Sequence, residues 1–299
     1  MISDSPLFSV IIPTFNRAEK LRRALESLEA QTFRDFEVIV CDDGSTDDTR
    51  SAVESFSERM PVTYLWEENF GGPGRPRNNG IRVSRGEWLC FLDADDWWYP
   101  EKLNLVRTHL ATADIVYHDL DRYPRRLWRP DNTFRARAVA NPVFVDLMLK
   151  GNALPNSSVV VRREIVVAAG GVSEEKSLVA AEDFDLWLKI ARITERFTHI
   201  PQVLGAYWVG DGNISEPSHA QVCRVETIYE KHAPYLAPEE QAQSKLLFCF
   251  MIANIKYKIG LRDEALSLLR LTLATDDFSL KMRALVMLLY IRGVSFFAR

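Results

Sequence analysis

The chain has only four cysteines in 299 residues, and Cys41, Cys90, Cys223 and Cys249 stand far apart, without the paired spacing of a metal site. Cys41 and Cys90 fall inside apolar strand-like runs, so buried, reduced thiols in a cytosolic protein are expected rather than a disulfide framework. No apolar run reaches the length that crosses a bilayer, so no spanning helix is expected. Positive charge is not in excess. Lys and Arg number 37 against 41 Asp and Glu, a net charge of −4, so no basic field argues for nucleic acid. The opening Met1-Ile2-Ser3-Asp4-Ser5-Pro6 lacks the basic and apolar regions of a signal peptide. The first apolar run is not followed by G-x-G-x-x-G, which disfavours a dinucleotide fold. G-x-x-x-x-G-K-[ST] is missing throughout, which excludes a P-loop. The isolated histidines offer no metal constellation, and no tandem repeat or low-complexity segment is found.

What is present is an alternation of short apolar runs and amphipathic stretches, with 47% hydrophobic residues to build a core. Residues 8–14, 36–41, 62–66 and 88–92 read as strands. Residues 18–31, with Leu21, Leu25 and Leu28 on one face, read as a helix, as do 46–59, with Ser45 a candidate N-cap, and 77–84. This order implies right-handed βαβ units and a parallel sheet. Residues 158–162 and 197–208 look extended and 182–192 helical. From 218 onward the pattern is helical throughout, including a helix-turn-helix over 243–273 around Gly260 that is similar to a single tetratricopeptide unit.

The apolar run ending at Leu92 stops abruptly in Asp93-Ala94-Asp95-Asp96. Strand C-terminal edges are where open α/β sheets bind ligands. Three acids there repel one another unless a cation compensates, and carboxylate oxygens suit magnesium or manganese. Thr14 and Asp42-Asp43 end two other strands. Their convergence on one edge would make a pocket with acceptors for ribose hydroxyls and base N–H groups beside a cation able to grip a diphosphate.

At this point the chain resembles the family 2 glycosyltransferases of the GT-A fold. Ser9-Val10-Ile11-Ile12-Pro13-Thr14-Phe15-Asn16-Arg17 is similar to their opening strand, and Asp42-Asp43-Gly44-Ser45-Thr46-Asp47 to their second-strand motif. Residues 69–80 resemble their Gly-rich segment leading into A-R-N-x-G, with Pro76 in the place of the alanine. Asp93-Ala94-Asp95-Asp96 resembles D-x-D. Residues 157–162 with Gly170-Gly171-Val172 resemble the acceptor-side strand and turn, and Glu182-Asp183-Phe184-Asp185 the E-D helix. The similarity covers roughly 8–215, six motifs in the family's order. It implies an α/β GT-A fold over residues 1–217, with a mostly parallel central sheet flanked by helices and an all-helical extension over 218–299.

The resemblance further implies transfer of a sugar from a nucleotide-diphosphate donor, a UDP-sugar by first choice, to a hydroxyl of a glycan or lipid-linked acceptor, with inversion. Asp43 would accept from the base, with Thr14 nearby; Arg77 would line the nucleotide site; Asp93 would bind ribose; Asp95 would hold the metal, Mn or Mg. Asp183 would be the general base. An envelope or secreted glycan and a cytoplasmic location, at the inner face of the membrane, fit this reading, and a homodimer stays open. Two other readings keep the fold: a sugar nucleotidyltransferase, which would carry a basic Gly-rich loop after the first strand, and a catalytically silent nucleotide- or glycan-binding module.

Each motif also has a purely structural reading. Asp42 to Ser45 could be a turn with a helix cap, Asp93 to Asp96 a solvated strand end, and Glu182 and Asp183 first-turn acids favoured by the helix dipole. Phe184, Trp187, Leu188 and Ala191 share a face and are expected in the core. Gly71 to Gly74 reads as a loop, able to close over a donor. Arg125, Arg126 and Arg129 read as solvated surface, with acceptor phosphate the other use. One stretch departs from the family: where Y-R-x-H is usual, residues 207–210 read Tyr207-Trp208-Val209-Gly210, so either full activity is lost or the metal or diphosphate contact shifts to Asp211 or another loop. Last, residues 280–299 carry Lys281, Arg283, Arg292 and Arg299 and no acid. That pattern suits a helix lying in an anionic membrane interface, and equally one packed on 243–273 or on a second subunit.

Overall fold

The computed structural model describes residues 5–125, 131–210 and 216–297. Arg126, Arg129, Asp211 and Arg299, all named above, lie outside the described residues. The elements in order are β1 (Phe8–Thr14), α1 (Ala18–Glu29), β2 (Phe36–Asp42), α2 (Thr49–Glu54), β3 (Val62–Trp66), α3 (Gly74–Val83), β4 (Trp88–Phe91), β5 (Trp97–Trp98), α4 (Lys102–Arg107), β6 (Ile115–Tyr123), β7 (Thr133–Phe134), α5 (Val143–Lys150), β8 (Val160–Arg162), α6 (Arg163–Ala168), α7 (Glu182–Ile190), β9 (Phe197–Trp208), α8 (His219–His232), α9 (Pro238–Lys258), α10 (Arg262–Thr272) and α11 (Phe278–Phe297). They divide into two compact units, Met1–Val143 with Ala153–Gly212, and Phe144–Asn152 with Asn213–Arg299.

The first unit is built on one sheet in the order β3-β2-β1-β4-β8-β6-β9-β5, with β7 on β6. β3, β2, β1 and β4 run parallel. The far half is mixed: β8 is antiparallel to β4 and β6, while β6 and β9 run parallel. The side chains of β1 alternate between two buried faces, the pattern of a strand covered on both sides. Phe8, Val10 and Ile12 meet Leu21, Ala24, Leu25 and Leu28 of α1, all fully buried. Burial of each such leucine contributes about 2 kcal/mol. On the other face α3 lies close. A Cβ on Gly80 would sit 2.7 Å from Cys41 Sγ and 2.9 Å from Ile11 Cγ2, so glycine is needed for the approach.

Two of the boundaries that differ from the sequence reading lie next to the site. The helix expected over 46–59 is cut to α2, and its cap is not Ser45. Asp47 instead ties the region down: Oδ1 accepts from Thr49 N and Oδ2 from Ala18 N, while Ser45 Oγ accepts from Asn16 N. The helix expected from residue 77 begins at Gly74, with Pro76 in its first turn. A proline costs nothing there, because first-turn N–H groups have no intrahelical acceptor.

The second unit is helical. α9 ends at a left-handed Gly260 (φ +88°), with Leu261 N donating to Lys256 O, a glycine stop of the usual kind. α10 then folds back, and Leu247, Phe250 and Ala253 of α9, Ala265 and Leu269 of α10, and Leu280, Ala284, Leu288 and Ile291 of α11 form one core. The segment 144–152 clusters with these helices rather than with the sheet; Met148 O accepts from the buried Ser244 Oγ.

Candidate active site

The strand ends gather the acids because β1, β2 and β4 are parallel neighbours that stop together. At β2, Asp42 is a turn residue: Oδ1 accepts from Ser45 N and Oδ2 from Tyr64 Oη at 2.5 Å. Asp43 beside it is buried, and its carboxylate accepts from three successive amides of the Gly-rich segment, Phe70 N at 2.7 Å, Gly71 N at 2.9 Å and Gly72 N at 3.4 Å. The loop thus curls over Asp43. It is also pressed against the 173–179 segment: a Cβ on Gly74 would lie 2.2 Å from Ser173 O. At β1, Thr14 O accepts from Asp43 N, and Thr14 Oγ1 is buried without a partner among the described residues.

Arg77, on α3, is the hub. It is fully buried, and it donates to Asp93 Oδ1 at 2.6 Å and to Glu182 Oε1 at 2.5 Å. Burial alone would weaken its charge; Asp93 and Glu182 outweigh that and raise its pKa. Asp93 is held further by Asn156 Nδ2 at 3.0 Å and by Ser157 Oγ, which accepts from Asp93 N at 3.1 Å. The end of β4, the start of α3 and the start of α7 are therefore one bonded unit. Sequence reasoning placed Arg77 and Asp93 here but missed Asn156 and Glu182's role; the adjacency of Glu182 to Asp183 was the signal for the latter.

Asp183 stands at the start of α7. Desolvation, then the neighbouring Glu182 charge, push its carboxyl up to about 7, against the opposing pull of Arg77. Its Oδ1 accepts from Phe184 N at 2.7 Å. Behind it, Phe184, Trp187, Leu188 and Ala191 are buried as core.

Asp95 and Asp96 differ sharply. Asp96 is buried, and Oδ1 accepts from Trp208 N at 2.8 Å. Burial, reinforced by Asp93 and Asp95, lifts its carboxyl well above the usual range. Asp95 receives Arg17 Nη1 on Oδ2, and Arg23 Nη2 donates to its backbone carbonyl at 2.7 Å. Arg23 is stacked 3.9 Å from the centroid of Trp97 and 5.0 Å from that of Trp208. The Trp208 indole also accounts for the departure at 210. A Cβ on Gly210 would lie 2.6 Å from Trp208 Nε1, so no larger side chain fits while the tryptophan keeps this position. Arg125 is exposed and pairs with Asp121.

A divalent cation fits the site in kind, since Asp95 supplies hard carboxylate oxygens at its rim. Among the described residues no three His, Cys, Asp or Glu side chains converge on one metal position. A donor diphosphate would offer such a cation further oxygens, as phosphates do for magnesium.

The family model described as glycosyl transferase family 2 matches residues 9–142. An uncharacterized glycosyltransferase of Rickettsia typhi is 29% identical over 251 residues, 81% of this chain and 76% of that one. Against three further relatives of 31–34% identity the chain spans 60%, 51% and 62% of their length. Among solved structures, S. aureus TarS 1-349 in complex with UDP-GlcNAc aligns with a TM-score of 0.60 at 20% identity, covering 96% of this chain and 92% of that one. A mannosyltransferase of Pyrobaculum calidifontis in complex with GDP-Man and Mn2+ aligns with a TM-score of 0.63 at 21% identity, covering 98% and 81%. Family model, relatives and fold agree: the first unit has the GT-A fold, and its residues 9–142 match glycosyl transferase family 2.

Proposed function

We propose that the protein is a metal-dependent, inverting glycosyltransferase that moves a sugar from a nucleotide-diphosphate donor, by first choice a UDP-sugar, to a hydroxyl of a glycan or lipid-linked acceptor. The observation that carries the reading is the Arg77 bridge, which fixes the acidic end of β4 beside the Asp183 carboxyl of α7. Inversion needs one base opposite the leaving group and no covalent nucleophile. Asp183 is suited to that task, because a carboxyl raised to about 7 by burial and the Glu182 charge is a stronger base than an ordinary aspartate. Arg77 keeps Asp93 turned toward the ribose. Thr14 Oγ1 and Asp43 line the base end; each carboxylate oxygen has two acceptor sites, and Asp43 Oδ1 uses one on Phe70 N, leaving one for a base N–H. The Gly-rich segment closes over the same end. Asp95 would hold Mn or Mg, and a bound divalent cation would supply Lewis-acid stabilisation of the charge on the departing diphosphate.

The exposed face of α11 suits an acceptor held at a membrane. Phe278, Met282, Val286, Leu289 and Tyr290 are exposed, and at 100° per residue they form a strip flanked by Lys281 and Arg292 on one side and Arg283 on the other. The strip supports a location at the cytoplasmic face of a membrane, with an envelope glycan as the product. No described helix is long and apolar enough to cross one. The deciding experiment is a thermal-shift panel of UDP- and GDP-sugars with and without Mn, followed by donor hydrolysis with the best binder. Stabilisation by a nucleotide sugar that Mn deepens, with turnover, supports the reading. Stabilisation without turnover would favour a binding module, and no stabilisation by any donor would end the proposal.

A further inference from the structure

Each acid of the β4 end is balanced differently. Asp93 is locked by Arg77 and Asn156. Asp96 lies in the interior, bonded to the Trp208 amide. Asp95, whose side chain keeps 10% of its surface exposed, is met by one guanidinium, Arg17, itself 25% exposed. The backbone on either side of that contact is fixed. Asn16 adopts φ +49° and is pinned to the β2 turn, with Asn16 N donating to Ser45 Oγ at 2.8 Å and Thr46 N to Asn16 Oδ1 at 2.8 Å. On the other side, Arg23 holds the Asp95 carbonyl from its aromatic seat. The Arg17 side chain therefore pivots from a fixed point, and the Asp95 carboxylate projects from another.

From this arrangement, and resting on the function proposed above, we infer that Arg17 is an exchangeable stand-in for the divalent cation at Asp95: it occupies the carboxylate in the empty enzyme and passes to the donor diphosphate when the cation takes Asp95. The physical reason is competition for one carboxylate. A guanidinium in contact with Asp95 Oδ2 and a divalent cation on the same group repel strongly at the separations a shared carboxylate allows. Moving Arg17 off Asp95 gives up a close ion pair in a partly buried place, so metal alone binds weakly. A diphosphate arriving with the metal gives the guanidinium a fork of phosphate oxygens, its preferred bidentate partner. Metal and nucleotide then bind with positive coupling, and that coupling runs through Arg17. No bond is made or broken; only the ion-pair partner of each charge changes.

The test is a Mn titration of the full chain followed by electron paramagnetic resonance, which reads free aqua-Mn directly and needs no turnover. It is run without nucleotide and with UDP or GDP, corrected for Mn–nucleotide complexes. In the wild type, Mn alone should bind weakly, and UDP or GDP should tighten it by a factor within the usual coupling range of about 5–150. Arg17→Met should bind Mn alone about tenfold more tightly, with the nucleotide coupling reduced to about twofold. Arg17→Gln, a second neutral variant, guards against misfolding of the first, and thermal melts establish that the variant used is folded. Mn affinity and coupling unchanged in a folded neutral variant overturn the inference, as does weaker Mn binding. If the wild type binds neither UDP nor GDP, the proposed function fails on its own, and the Mn-alone comparison still decides whether Arg17 competes for Asp95.

Discussion

The Arg77 guanidinium donates to the Glu182 carboxylate at 2.5 Å, and both side chains are buried. This contact joins residues 105 positions apart, the first turn of α3 and the first residue of α7. Removing one member of a buried pair leaves the other charge uncompensated. Arg77→Met should therefore cost about 3–5 kcal/mol in urea unfolding. The double variant Arg77→Met/Glu182→Gln should cost less than the sum of the singles, with a coupling of about 1–3 kcal/mol. Strict additivity would mean that the two side chains do not support one another.

Asp183 ties activity to pH. Its carboxyl is raised to about 7 by burial and Glu182, and only the ionised form accepts a proton. kcat/KM should climb with pH and level off above about 7. Asp183→Asn should lose most turnover while donor affinity changes little. The stability effect has a definite sign. A carboxyl whose folded-state pKa lies above its unfolded value contributes fully at low pH and loses that contribution as pH rises toward 7. Asp183→Asn should thus melt higher than wild type at pH 8, and the difference should fade toward pH 4. Collapse of donor affinity with normal residual turnover would make Asp183 a binding or capping residue.

How far the sequence carries depends on whether a feature is local. Strands β1 to β4 are readable because each is a short apolar run that stops at polar residues, and their parallel order follows from the intervening helices. The far half of the sheet is not. β6 pairs with β8 and β9 across large sequence separations, and β5 has only Trp97 and Trp98 to announce it. α2 starts later than its pattern, beside an Asp47 that bonds Thr49 locally and also Ala18, and the second contact lies outside any local window. The candidate site divides the same way. Asp43, Asp93, Asp95 and Asp183 stand in motifs. Glu182 as the partner of Arg77, and the Arg23 seat between Trp97 and Trp208, appear only when the chain is folded.

Asp95 and Asp96 are neighbours with opposite expectations. Asp96 is interior, and its raised pKa favours the neutral carboxylic acid, which an amide mimics. Asp96→Asn should fold with a loss no larger than about 1 kcal/mol and keep its metal response. Asp95→Ala should fold and lose metal-stimulated donor hydrolysis and transfer. A folded Asp95→Ala protein whose activity still responds to Mn would rule out Asp95 as the metal ligand.

Membrane attachment is best tested on the surface of α11, not by removing it. Leu280, Ala284, Leu288 and Ile291 of this helix are part of the helical unit's core, so a chain ending at Asp277 would strip that core and confound binding with unfolding. The outer strip is separable. Val286 and Leu289 are each 61% exposed and outside the core, so Val286→Glu/Leu289→Glu should leave the melting temperature nearly unchanged. In co-sedimentation with vesicles of anionic phospholipid, the wild type should bind at low salt and release as ionic strength rises, because Lys281, Arg283 and Arg292 act through a screened attraction. The double glutamate variant should bind about tenfold less, since it places two acids where an apolar strip would enter the interface. Equal binding by both proteins would move the contact elsewhere on the chain, and no binding by the wild type at any salt would remove the membrane from the proposed function.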